Sequence, residues 1–253
     1  MSLGIIRQAQ FRFWRYAETR AIFEWQSFFA LQPLLKKLPK GDGHAVIVFP
    51  GFASSDLATK PLRKLFDDLN YDTHGWGLGY NFFFNDSLES EMVSLVKEVA
   101  KKSGGKVSLL GWSLGGLFAR EVAKQCVEDV RCVISLGSPI SGSQAHSNVH
   151  GIFNAINGEP SDIDISRALQ LNQAPPVPTT SIFSKTDGIV AWEGSVQHNV
   201  DELSENIVVP ASHIGLGVNP LVMMLLADRL SQPQDNWRKF KPSGLTSVFF
   251  GQH

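Results

Sequence analysis

Val107-Ser108-Leu109-Leu110-Gly111-Trp112-Ser113-Leu114-Gly115-Gly116 is the stretch on which the fold turns. Its first four residues are an apolar run of the kind that makes a buried strand, and Leu114 to Gln125 reads as a helix. Between the two lies Gly-x-Ser-x-Gly, Gly111 to Gly115. With 22 glycines in 253 residues such a match arises readily by chance, so its weight comes from its setting. A serine lifted between a strand and a helix occupies a sharp, strained turn whose neighbours must lack bulk. Gly111, Gly115 and Gly116 meet that need. The same turn puts the Leu114 N–H at a helix N-terminus, where negative charge is favoured. The alternative is a strand–turn–helix junction with an incidental serine.

Outward from this point the chain alternates. Val46-Ile47-Val48-Phe49 is an apolar run closed by Pro50-Gly51. Asp56 to Leu69 is expected to be helical, with Leu62, Leu65, Phe66 and Leu69 on one face. Tyr71 to Trp76 reads as a strand, Ser87 to Lys102 as a helix, and Cys132 to Leu136 as a further strand. Thr179 to Phe183 and Ile207 to Val209 are two more strands, and Pro220 to Leu230 is the last helix. This order predicts one α/β domain over residues 1–253, a doubly wound, mainly parallel sheet covered on both faces. Ligands of such sheets bind beyond the carboxyl ends of the strands.

Two segments stand apart. From about 140 to 178 the chain is rich in Ser, Asn, Gly and Pro and too long for a simple connection. It is expected to be a short lid or cap, with a helix near Ile165 to Leu171; the alternative is a surface insertion without function. Residues 1–40 form an N-terminal helical segment. Phe11, Trp14, Glu18, Ile22, Trp25 and Phe29 fall at helical spacing, with Arg7, Arg12, Arg15 and Arg20 between them. The expected role is to cover the chain's own core; a homodimer contact and peripheral membrane contact are alternatives.

A serine hydroxyl needs a base, and the base needs an orienting acid. Of seven histidines, His213 follows the Ile207–Val209 strand in a short loop at the carboxyl edge. His44 precedes its strand and so belongs to the opposite edge. His74, His146, His150, His198 and His253 are worse placed. Asp187 follows the Thr179–Phe183 strand, with Gly188 to permit a turn; the alternative is an Asp-Gly turn residue. Ser113, Asp187 and His213 thus form the candidate triad, each after a different strand. The oxyanion of acyl transfer would be met by the backbone N–H groups of Leu114 and Phe52.

Composition narrows the rest. A formal net charge of -1 gives no field to recruit nucleic acid. The two cysteines, Cys126 and Cys132, have no metal-ligand spacing and read as small buried hydrophobes. No signal peptide and no transmembrane run is expected, which points to a cytoplasmic location.

With these motifs in view, the chain resembles the α/β-hydrolase superfamily, in particular its bacterial lipase- and esterase-like members, from about His44 to Leu230. The resemblance rests on Val48 to Phe52, Gly111 to Gly116, Gly137-Ser138-Pro139, Thr186 to Val190 and Ser212 to Leu216. It implies an α/β-hydrolase-type sheet, a small-molecule ester substrate, an acyl-enzyme on Ser113 and no cofactor or metal. It also makes Gly79 and Asn81, in Gly75 to Asn81, possible substrate contacts at the site mouth; the alternative for Asn81 is a helix or turn cap. Alternatives are an acyltransferase or thioesterase with the same triad, or a non-catalytic scaffold of this fold. Two departures stand out. Pro50-Gly51 replaces the His-Gly common at the oxyanion loop of lipases, and the lid is short and polar.

Overall fold

The structure, a computed structural model, describes residues 13–82, 86–141, 173–244 and 246–252. The apolar runs form seven strands: β1 (Ala45–Phe49), β2 (Asp72–Gly75), β3 (Val107–Trp112), β4 (Val130–Leu136), β5 (Thr179–Phe183), β6 (Ser204–Val208) and β7 (Gly251–Gln252). They lie in one sheet in the order β2-β1-β3-β4-β5-β6-β7. The pairings from β2 through β6 are parallel, and β7 closes the edge antiparallel against Ile207 and Val208. The mainly parallel α/β sheet read from the sequence is therefore present.

The strands are apolar throughout because both faces of the sheet are covered. Val46 and Val48 point into one core, with Leu62, Leu65 and Phe66 of helix α2 (Asp56–Asp68) and Val222, Leu225 and Leu226 of helix α5 (Pro220–Leu230). Ala45, Ile47 and Phe49 point into the other, with Met92 and Val96 of helix α3 (Asp86–Ser103) and Leu117 and Val122 of helix α4 (Leu114–Gln125). Each fully buried Val, Leu or Ile contributes about 1.5–3 kcal/mol of burial free energy, so the two cores hold the strand ends rigid.

Some boundaries move. β4 starts at Val130 rather than Cys132, and β6 runs over Ser204–Val208 rather than Ile207–Val209. The polar residues that hid these strands, Arg131 and Glu205, are buried and paired with Asp42 and Arg229. Residues 142–172, which hold most of the expected lid and its helix, lie outside the described residues. The lid's root is fixed: Ser141 N donates to the Gly194 carbonyl at 2.9 Å, in the turn Trp192–Ser195. Cys126 and Cys132 are free and buried, as read.

The N-terminal segment packs on its own chain, but not by the stripe read from its aromatics. Helix α1 (Ala21–Ala30) buries Ala21 and Phe28, while Ile22 and Phe29 are 60% and 57% exposed. Polar contacts set its rotation, and the most buried carboxylate of the segment, Glu18, lies on the inner face. Among the described residues, no helix is long and apolar enough to cross a membrane.

Candidate active site

β3 ends at Trp112, α4 begins at Leu114, and Ser113 alone makes the turn. Its backbone sits at φ 54°, ψ -123°, a left-handed conformation that costs a non-glycine residue about 1–3 kcal/mol. The surroundings enforce it. A Cβ on Gly111 would lie 2.3 Å from the Gly116 Cα, one on Gly115 2.3 Å from the Phe49 carbonyl oxygen, and one on Gly116 2.0 Å from Ser138 Oγ. All three glycines are needed for α4 to close against the sheet at this point, as the sequence pattern required.

The loop after β5 carries Asp187 and the loop after β6 carries His213. The structure brings both to Ser113. His213 Nε2 is 3.0 Å from Ser113 Oγ, and His213 Nδ1 is 2.6 Å from Asp187 Oδ2. The second carboxylate oxygen of Asp187 accepts from Ile189 N at 2.8 Å and Val190 N at 2.7 Å, which fixes its orientation. Gly137, with φ +55°, lets the pair approach the end of β4, since a Cβ there would lie 3.1 Å from Asp187 Oδ2. The Trp112 indole N–H donates to the His213 carbonyl at 3.1 Å and anchors the loop from the nucleophile side.

All three side chains are buried. Burial works against a charged His213, but the Asp187 charge, the Asp187 hydrogen bond and the Glu18 charge outweigh it, so its pKa is raised above the ordinary 6.5. The imidazole is therefore a stronger base than a free histidine.

The two residues expected to donate to the oxyanion, Leu114 and Phe52, follow Ser113 and Gly51 directly in the chain. Leu114 opens α4, and the first N–H groups of a helix have no partner within it. Phe52 follows Gly51, whose Cβ position would lie 3.4 Å from Ser113 Cβ. The Phe52 loop is thus packed against the elbow. Asn81, expected at the mouth, is fully buried and supports that loop instead. Its Nδ2 donates to the Pro50 carbonyl at 2.8 Å, its N to the Ser54 carbonyl at 2.9 Å, and its carbonyl accepts from Ala53 N at 2.8 Å. This is the support that replaces a histidine before Gly51. Gly79 is exposed at φ +80°, and its carbonyl accepts from the Trp76 indole at 2.9 Å. Beside the loop, the rings of Phe52 and Phe82 meet edge to face at 6.2 Å, and Tyr80 stacks on Phe82 at 5.6 Å. All three are more than one third exposed, which leaves an apolar shelf beside the loop that carries Gly51 and Phe52.

Three residues that the sequence did not single out as functional close the site from behind. Glu18 accepts from the backbone N–H groups of Gly188, His213 and Ile214 at 2.9, 3.0 and 3.0 Å. Glu24 accepts from Ser212 N at 2.9 Å, from the Ser212 hydroxyl and from Asn219 Nδ2 at 3.0 Å. Arg20 donates to the carbonyls of Thr186 and Ala211 at 2.7 and 2.9 Å. The available signal was Glu18 itself, a carboxylate inside an apolar helical stripe.

Residues 46–204 match the sequence profile of palmitoyl protein thioesterases. That span holds Ser113 and Asp187 and stops short of His213. No protein of curated function matches the chain in sequence. Among solved structures, Aspergillus fumigatus lipase B is 19% identical with a TM-score of 0.57, over 75% of this chain but only 52% of that one. The Paleococcus ferrophilus monoacylglycerol lipase is 14% identical, TM-score 0.54, covering 76% of this chain and 96% of that one. The thioesterase domain from the curacin biosynthetic pathway is 12% identical, TM-score 0.53, covering 76% and 92%. At these identities the likeness establishes the α/β-hydrolase fold.

Proposed function

The chain belongs to the palmitoyl protein thioesterase family, and we propose on that basis that it hydrolyses carboxylic esters, with oxygen or sulfur leaving groups, through an acyl-enzyme on Ser113. The observation that carries this reading is the unbroken chain from Asp187 through His213 to Ser113 Oγ, ending on a strained turn at a helix N-terminus. Ser113 Oγ attacks the acyl carbon as His213 Nε2 takes its proton. The Leu114 and Phe52 N–H groups stabilise the oxyanion. His213 passes the proton to the departing alcohol or thiol, and the acyl–Oγ bond remains. Water, deprotonated by the same imidazole, then releases the acid and restores the hydroxyl.

The decisive measurement is turnover of a p-nitrophenyl ester by Ser113→Ala, together with fluorophosphonate labelling of the wild type. Loss of turnover and a label on Ser113 support the reading; unchanged turnover in the mutant overturns it.

A thioester substrate is the sharper version. Family membership favours it, and the Phe52, Tyr80 and Phe82 shelf suits an apolar acyl chain. Matched oxygen esters and thioesters of one acyl chain separate the two, with the higher kcat/KM expected for the thioester. Because Ser113, His213 and Asp187 serve both, the preference is read from the ratio and not from the triad.

A further inference from the structure

We propose that Glu18 is a positioning residue of the triad, a second carboxylate that holds the loops of His213 and Asp187 together and places a negative charge beside the base. The inference rests on the catalytic reading above, with His213 as base. One buried carboxylate takes three backbone N–H donors from the two loops that carry the acid and the base. Oε1 bridges Gly188 N and His213 N, so the residue after Asp187 and the base itself share one acceptor. Oε2 takes Ile214 N. The loops cannot separate without breaking charge-assisted hydrogen bonds in a buried setting, each stronger than a neutral one.

The fit is close on the backbone side as well. A Cβ on Gly188 would lie 2.4 Å from the Trp14 carbonyl oxygen, so the N-terminal segment packs directly on the Asp187 loop. A Cβ on Gly215 would overlap the Glu24 carboxylate in the same way on the His213 loop. Arg20 ties the two loops a second time, at Thr186 and Ala211.

The imidazole is faced by Ser113 from the elbow and by Asp187 from the loop after β5, while Glu18 from the N-terminal segment holds the His213 backbone N–H and acts on the ring through its charge. Glu24 stands one residue further out, at Ser212, and Arg20 two residues out, at Ala211. The Glu18 charge stabilises the imidazolium that forms as Ser113 attacks, while Asp187 holds the tautomer.

The test is a pH profile of kcat/KM for wild type, Glu18→Gln and Glu18→Asp, with fluorophosphonate labelling in parallel. Glu18→Gln removes the charge, so the acid limb should move to lower pH by about half a unit, and kcat should fall about 10- to 100-fold as the loops loosen. Glu18→Asp keeps the charge with a shorter reach, so the limb should stay while kcat falls. A role confined to stability would lower the melting temperature and leave the limb in place. An unmoved limb in folded Glu18→Gln overturns the proposal. If that variant does not fold, undiminished kcat in Glu18→Asp overturns it. Absence of label on Ser113 in the wild type would instead overturn the catalytic reading.

Discussion

β3 carries a Ser–His–Asp hydrogen-bond chain at each end, and only one of them is built to react. At the carboxyl end, Ser113 Oγ, His213 and Asp187 are linked at 3.0 and 2.6 Å. Toward the other end, Ser108 Oγ, His44 and Asp42 are linked at 2.8 and 2.5 Å. Residue types and distances do not tell the two apart. Ser108 lies within the strand, fully buried, with the Cys132 thiol 3.3 Å from its hydroxyl. Ser108 is followed by Leu109 to Trp112 of the same strand and not by a helix N-terminus. Ser113 is lifted out of the sheet by a turn that three glycines make possible. Asp42 is 57% exposed and shared with Arg131, whereas Asp187 is 2% exposed and committed to His213. The difference between the two serines lies in backbone position: Ser113 sits on a strained turn at a helix N-terminus, and Ser108 sits inside a strand. The Ser108 chain closes the bottom of the sheet, tying the 36–44 linker to β3 and β4.

The largest contrast lies in the serines. Ser113→Ala should lower kcat by at least about 10³-fold, and up to about 10⁶-fold if the triad acts as one unit. Ser108→Ala should leave kcat within about twofold and cost about 1–2 kcal/mol in denaturant unfolding, by stranding His44 Nε2. Comparable losses from both would erase the distinction. The acids come next. Asp187→Asn should cost about 10⁴-fold in kcat by giving His213 the wrong tautomer. Asp42→Asn should leave kcat intact and lower stability by no more than about 1 kcal/mol, since the Asp42 carboxylate itself is more than half exposed.

The smallest effect is in the titrations, where the two histidines move in opposite directions. His213 is raised, so the acid limb of kcat/KM should fall above pH 6.5, read from a pH–rate profile. Its contribution to stability is complete below 6.5 and fades as pH rises through its folded value. His44 is lowered, chiefly by burial, with Asp42 opposing and Arg131 assisting. Its contribution is present above 6.5 and is lost as pH falls below that value. Denaturant midpoints of Ser113→Ala across pH would separate the two, with His44→Phe as the comparison.

Much of this was legible because the decisive constraints are local. The elbow shows in its glycines, and a strand's direction already assigns His213 to one edge and His44 to the other. Asp187 follows β5, whose bounds are legible, and His213 follows β6, of which only the last residues, Ile207 and Val208, stand out because Glu205 masks its start. Of the two readings of Asn81, substrate contact or turn cap, its backbone hydrogen bonds fit the second, but its exact place follows from a loop that folds back under Pro50, and no spacing encodes that. Glu18 was hidden by the aromatics around it. Helical periodicity reports which residues could share a face, but here hydrogen bonds over 170 or more positions decided which face turned inward.

That long reach has a consequence for when the protein becomes active. Glu18 and Ile214 lie 196 residues apart, and the base lies beyond the span that carries nucleophile and acid. On the ribosome, a chain that has emerged as far as the loop after β5 owns Ser113 and Asp187 but not yet His213 to join them. The late loop closure that brings residue 213 back to residue 18 is also the step that arms the serine, so hydrolytic activity reports completed folding.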